Sequence, residues 1–177
     1  EAAVAGRSLS AMKKERVAAS AVFTKAGSNS LGDPNSLIDK LELALFAGKI
    51  AAYAQGFAVM EAASREFTWN LPMATIARIW RAGCIIRARF LDAMRAAYRR
   101  DAGLVNLVLD PDIAALVVST EAAWRRLMGL AMAHGVPVPA MSASLAWYDA
   151  YRTADLPQNL TQAQRDAFGS HTYQRRD

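Results

Sequence analysis

The 177-residue sequence has one cysteine and two histidines, and this scarcity excludes several kinds of site. Cys84 cannot form an intramolecular disulfide, so a disulfide-framed secreted domain is excluded and a cytoplasmic setting is favoured. His134 and His171 lie far apart, and no His or Cys pair has the spacing of metal ligands, so we predict no metal site. Glycine-rich phosphate loops and nucleophile elbows are also absent, so we expect no catalytic residue in this chain.

Strand patterns and long runs of one charge are missing too. Alternating apolar and polar runs are nearly absent, while helix-forming residues fill the sequence, which predicts an all-α fold. The net charge is +5, but the 21 basic residues are scattered and never more than two stand in succession. Of these, 16 are arginine, and the scatter gives poor support to a nucleic-acid-binding face.

A long central helix is the main predicted element. Asp33 and Pro34 form an N-cap followed by proline at the first helical position, and no proline interrupts residues 36–67. Lys49 and Gln55 are the only strongly polar side chains in the middle of this segment, so we predict that its faces are all covered by protein. A membrane span is disfavoured because Lys49 is internal and the run is mostly alanine and glycine.

Shorter helices complete the predicted domain, which ends in a polar tail. They are expected over residues 1–20, 72–83, 85–100, 111–135, 139–156 and 159–169. Asn159 and Gln162 are interpreted as a capping box, and Gly169 as the end of the last helix. Residues 170–177 have no apolar periodicity, so this tail is expected not to hold itself in place. The predicted core includes Met60, Trp80, Met94 and a helix stripe of Ile113, Val117, Thr120, Trp124, Leu127 and Ala131.

Three stretches resemble the helical C-terminal domain of the 6-phosphogluconate dehydrogenase family. They are residues 49–57 (KIAAYAQGF), 80–87 (WRAGCIIR) and 162–173 (QAQRDAFGSHTY), and residues 124–126 and 148–152 agree in order and spacing. The resemblance covers residues 1–173. Two departures occur, since Ala82 and Ser170 stand where glycine and alanine are expected.

The resemblance implies a homodimeric enzyme that oxidises the C3 hydroxyl of 6-phosphogluconate with NADP, releases carbon dioxide and forms ribulose 5-phosphate without a metal. Residues 1–169 would form the dimerisation and substrate-binding domain, and residues 170–177 a tail that reaches the partner subunit. The family's dinucleotide-binding domain and its catalytic lysine, in a Lys-Gly-Thr-Gly segment, would precede this chain. The general acid, a glutamate, also has no match here. The chain alone is therefore expected to be inactive.

The same resemblance implies three substrate-binding residues. Arg87 takes the place of the arginine that grips the substrate phosphate, while Arg165 and His171 match residues that the partner's tail supplies to that phosphate. Lys49, Tyr53 and Gln55 are interpreted as polar positions of a buried helix and are assigned no ligand.

Two other functions remain open at this point. Other 3-hydroxyacid dehydrogenases share a helical C-terminal domain but act on substrates without phosphate, and Arg165 with His171 argue against them. A basic helical module that binds nucleic acid is the other alternative, with only scattered arginines in its favour.

Overall fold

The computed structural model describes residues 1–23, 33–83 and 88–173, and every regular element in these ranges is helical. The predicted all-α fold is confirmed. The helices are α1 (Ala2–Ala11), α2 (Lys13–Val22), α3 (Pro34–Glu66), α4 (Met73–Gly83), α5 (Phe90–Arg100), α6 (Pro111–Ala133), α7 (Pro139–Tyr151) and α8 (Asn159–Gly169), with a 3₁₀ turn at Leu107–Leu109. Two compact units are present, Glu1–Leu145 and Ala146–Asp177.

Both long helices begin at their predicted Asp-Pro pairs. The Asp33 carboxylate accepts a hydrogen bond from the Ser36 backbone N–H at 2.8 Å. Asp110 accepts from the backbone N–H groups of Asp112 and Ile113 at 3.1 and 3.2 Å. Each carboxylate satisfies N–H groups that have no partner inside the helix, and proline at the first position supplies a preset φ. The starts of α3 and α6 were therefore readable from local sequence.

The core of the first unit lies between α3 and α6. The 3₁₀ turn packs on both of these helices, α4 packs on α5, and α5 on α6. All six residues of the predicted α6 stripe are buried, as is Met94, while Met60 and Trp80 are half-buried. Phe57 of α3 stacks on Tyr98 of α5 at 5.5 Å and meets Trp80 of α4 edge-on at 5.4 Å, so these rings join three helices.

Part of the surface of α3 is exposed among the residues that the structure describes. Its alanine-rich face is buried against the core, whereas Ile38, Leu45 and Val59 are more than half exposed. The prediction that protein covers all faces of this helix is therefore wrong for the described part of the chain. Lys49 is exposed, and Gln55 donates a hydrogen bond to the Ala51 carbonyl oxygen at 3.2 Å.

By length and composition α3 could cross a membrane, the one such helix in the described ranges. Core helices of globular domains meet the same criteria, and the packing of α3 along α6 is that of a core helix.

The N-terminal segment differs from its prediction. Residues 1–20 were expected to form one helix, but the chain breaks at Met12 (φ −84°, ψ 47°) into α1 and α2. The Arg16 guanidinium donates across the break to the Ser10 carbonyl oxygen at 3.1 Å. Neither proline nor glycine stands at the break, so the sequence carries no local signal for it.

Candidate functional site

Two of the three predicted site residues, Arg165 and His171, belong to α8 and the tail that follows it. The N-cap residue of α8 is Gln158, and its side chain makes no capping hydrogen bond. The predicted capping box of Asn159 and Gln162 is therefore wrong. The Gln162 side-chain amide instead donates to the Thr172 carbonyl oxygen at 2.7 Å, so it serves the tail beyond the other end of the helix.

The tail turns back on α8 through two residues with left-handed backbone. Ser170 has φ 51° and Thr172 has φ 62°, which is uncommon for residues other than glycine. The Ser170 N–H donates to the Asp166 carbonyl oxygen at 2.8 Å, and the Thr172 N–H donates to the Asp166 carboxylate at 2.6 Å. The expectation that the tail cannot hold itself in place is wrong as far as Thr172, because polar side chains of α8 hold it instead of apolar contacts. Residues 174–177 lie outside the described residues.

The imidazole of His171 lies directly against Gly169. A Cβ atom added at position 169 would be 2.8 Å from Nε2 of His171 and 2.9 Å from its Cδ2. Real Cβ contacts are longer than this. The histidine ring therefore occupies the space into which a side chain at position 169 would project.

Arg165 lies on the same face of α8 as this ring. It precedes Gly169 by four residues, and positions i and i+4 of a helix are surface neighbours, about 5–6 Å apart at Cβ. Because His171 fills the side-chain place of position 169, we infer from helix geometry that Arg165 and His171 are neighbours on this face. Both are exposed, and within the described part of the chain neither side chain has a hydrogen-bond or ion-pair partner.

Arg87, the third predicted residue, lies outside the described residues. Its described neighbours Ala88 and Arg89 line a cleft together with Glu42 and Lys49 of α3. The relation of Arg87 to the α8 pair therefore stays a prediction.

The sequence analysis gave Asp166 no role, and it assigned Gln162 only to a capping box and Gly169 only to the end of the last helix. The sequence does contain a hint for Gln162 and Asp166, because they stand four residues apart and therefore share one helix face. Without the left-handed turn at Ser170, however, nothing in the sequence says that both side chains point to the tail. No cluster of His, Cys, Asp or Glu that could hold a metal is found among the residues the structure describes.

Tyr98 is a buried tyrosine of α5. Burial raises its pKa to about 12, and the nearby negative charge of Glu61 adds to the effect. The phenol therefore stays protonated at neutral pH and acts as a packing group against Phe57.

Comparison with known proteins identifies the family. The model of the 6-phosphogluconate dehydrogenase C-terminal domain matches residues 1–177. A chloroplastic decarboxylating 6-phosphogluconate dehydrogenase of Arabidopsis thaliana is 51% identical over 97% of the chain and 37% of that relative. The decarboxylating enzyme of Klebsiella pneumoniae is 47% identical over 98% of the chain and 37% of the relative.

A solved structure agrees in fold as well as in sequence. Plasmodium falciparum 6-phosphogluconate dehydrogenase, studied without ligand, with NADP+ and with 6-phosphogluconate, is similar with a TM-score of 0.89 and 40% identity. The match covers 99% of this chain and 38% of that one, so the chain spans little more than a third of its relatives. These matches favour this family over the wider group of 3-hydroxyacid dehydrogenases and over a nucleic-acid-binding module. The chain belongs to the 6-phosphogluconate dehydrogenase family, in which it corresponds to the C-terminal domain.

Proposed function

We propose that this chain is the helical domain of an enzyme that oxidises and decarboxylates 6-phosphogluconate with NADP, and that it binds the phosphate of the substrate. The observation that carries the proposal is the common exposed face that Arg165 and His171 share on α8. Relatives that bear the name of this activity are about half identical to the chain. We place the enzyme in the cytoplasm on account of its lone cysteine, although some plant relatives are named chloroplastic.

The chemistry of the pair suits a phosphate dianion. A guanidinium offers up to five N–H donors in a planar fork, and an imidazole offers one when neutral and two when protonated. Each charge-assisted hydrogen bond contributes about 1.5–3 kcal/mol. Arg87 would add a second guanidinium, as the family resemblance implies. Since the phosphate is remote from the reacting carbon, these contacts would hold and orient the substrate without taking part in bond breaking.

We further propose that the enzyme is a homodimer in which the tail of each subunit completes the site of its partner. The exposed apolar face of α3 supports a partner subunit, because Ile38, Leu45 and Val59 recur every seven or fourteen residues along one side of the helix. The α8 pair supports tail exchange, because both side chains are exposed and available to another chain. NADP would be held mainly by a dinucleotide-binding domain, and it supplies the hydride acceptor.

Kinetics of Arg165→Ala in a full-length enzyme with this chain as its C-terminal domain test the phosphate-binding role. We expect the KM for 6-phosphogluconate to rise about ten- to hundredfold. The reason is that the lost charge-assisted hydrogen bond contributes about 1.5–3 kcal/mol, and about 1.4 kcal/mol corresponds to each tenfold change. We expect kcat to stay within about twofold, because uniform binding is what a phosphate contact supplies. Arg99→Ala is the control, since Arg99 is an exposed arginine of α5 with no assigned role. A fall in kcat at unchanged KM would contradict the proposal.

A further inference from the structure

We propose that Asp166, Gln162 and Gly169 are positioning residues that preset His171 beside Arg165 before the substrate arrives. This inference rests on the proposed phosphate-binding role of Arg165 and His171. It gives a positioning role to three residues of the 162–173 stretch for which we propose no contact with the phosphate.

Two side chains of α8 hold the backbone of the tail at Thr172. Thr172 is the residue directly after His171, and both of its backbone groups are bound by α8: its N–H by the Asp166 carboxylate at 2.6 Å and its carbonyl oxygen by the Gln162 amide at 2.7 Å. Gln162 and Asp166 are four residues apart, so they form one two-point clamp on a single helix face. Ser170 and Thr172 take left-handed conformations on either side of His171, and such conformations persist only where the surroundings fix them.

The absence of a side chain at Gly169 leaves space for the imidazole ring of His171. Position 169 lies in the last turn of α8, where alanine would suit the helix better than glycine. The atoms that would collide with a Cβ there belong to the His171 side chain. A residue at position 169 other than glycine would therefore push the imidazole away from the face it shares with Arg165, while the helix itself would tolerate the change.

The preset tail should increase the affinity of the enzyme for the substrate phosphate. A tail that is already turned when the phosphate arrives loses little conformational freedom on binding, so the affinity is higher than for a tail that must be ordered at that moment. The clamp groups act through His171, so their loss should change substrate affinity and leave the chemical step unchanged.

The test is a set of variants in a full-length enzyme that carries this chain as its C-terminal domain. The variants are Asp166→Ala, Asp166→Asn, Gly169→Ala, His171→Ala and the double variant Gly169→Ala with His171→Ala. Asparagine retains the side-chain oxygen that accepts from Thr172 and removes only the charge. Thr161→Ala is the control for a generic change on α8, because Thr161 is exposed and lies outside the clamp. The kcat, the KM for 6-phosphogluconate and the melting temperature are measured for each.

We expect His171→Ala and Gly169→Ala to raise KM about tenfold, and Asp166→Ala to raise it about three- to tenfold, with kcat within about twofold. Asp166→Asn should restore a KM within about twofold of the parent enzyme. In the His171→Ala background, Gly169→Ala should add no more than about a twofold change, because the ring it displaces is gone. Melting temperatures should follow the Thr161→Ala control.

The contrary results separate two failures. If His171→Ala raises KM but Gly169→Ala and Asp166→Ala do not, the positioning role is overturned and the phosphate-binding role stands. The positioning role is also overturned if Asp166→Asn matches Asp166→Ala, if the two changes at 169 and 171 are additive, or if KM rises only where the melting temperature falls. If His171→Ala leaves KM unchanged, both proposals fall.

Discussion

At the scale of single residues, Asp110 joins the end of α5 to the start of α6. Its buried carboxylate caps α6 and also forms an ion pair with Arg100 of α5. The Nη2 atom of Arg100 lies 2.7 Å from each of the two carboxylate oxygens. Arg100 is about half exposed and also reaches Asp112 at 2.8 Å. Burial by itself would raise the pKa of Asp110, but hydrogen bonds from Arg100 and from two backbone N–H groups, with the positive charge of Arg100, hold it below its usual range.

We expect Asp110→Ala to lower the free energy of unfolding by about 2.5–4 kcal/mol, from about 1 for the lost cap and about 1.5–3 for hydrogen bonds to a charged group. Because the folded-state pKa is depressed, the stabilisation is complete above the unfolded pKa of about 3.9 and is lost as the pH falls through the folded value. Asp110→Asn retains the cap but not the charge, so it should lose less stability than the parent as the pH falls from about 5 through the depressed folded pKa. Urea unfolding followed by circular dichroism measures both effects. Parallel losses in parent and Asn variant would contradict the assigned ion pair.

Individual residues also show where sequence reasoning reached its limit. Asp33 and Asp110 are followed by proline, so their caps depend on neighbours in sequence and were predicted correctly. Gln162 carried an equally plausible capping pattern, but its amide bonds Thr172, ten residues away. The approach of Arg165 and His171 likewise depends on the left-handed turn at Ser170, which replaces an expected alanine and has no propensity signal.

At the scale of helices, α3 presents two faces of different character. Its buried face consists largely of alanines with Ile50 and Phe57, and α3 packs along α6. The opposite side carries Ile38, Leu45 and Val59 in solvent exposure within this chain. Apolarity around the whole helix was read correctly from the sequence, but a sequence does not say which of two apolar faces is buried within its own chain and which stays exposed.

The substitution Val59→Glu tests whether a second copy covers the exposed face of α3. Burying an unpaired carboxylate in an apolar interface is strongly unfavourable, so the dimer dissociation constant should rise at least about tenfold. Val118→Glu on α6 is the matched control, since Val118 is 66% exposed and Val59 is 69% exposed. Sedimentation equilibrium of the full-length variants measures the constant. Equal dissociation constants for the two variants would contradict a dimer interface on α3.

At the scale of the whole molecule, we propose that the chain contributes substrate contacts and that the chemistry lies elsewhere. Arg165 and His171 belong to a small unit that follows the main helical core in sequence. The tail that carries His171 is held at Thr172 by polar side chains of α8. An arrangement of this kind suits a contact delivered to another subunit, because its geometry is set within α8 and its tail. It also predicts that a lesion in the tail of one subunit affects the site of the other.

Mixing low-affinity variants of the full-length enzyme tests this shared site, with activity measured at a 6-phosphogluconate concentration well below their raised KM. In a heterodimer of Arg87→Ala and Arg165→Ala subunits, a shared arrangement places both lesions in one site and leaves the other intact. Random exchange makes about half of the dimers mixed, and half of their sites are whole, so about a quarter of all sites should regain activity. A mixture of Arg165→Ala with His171→Ala is the matched control, because both lesions lie in tails and every site then receives one damaged tail. Since exchange itself is the same in both mixtures, verified exchange without recovery in the first would show that each site is built by one subunit. Equal recovery in the second would show that the recovered activity does not come from reassembled sites, which would also overturn the shared arrangement.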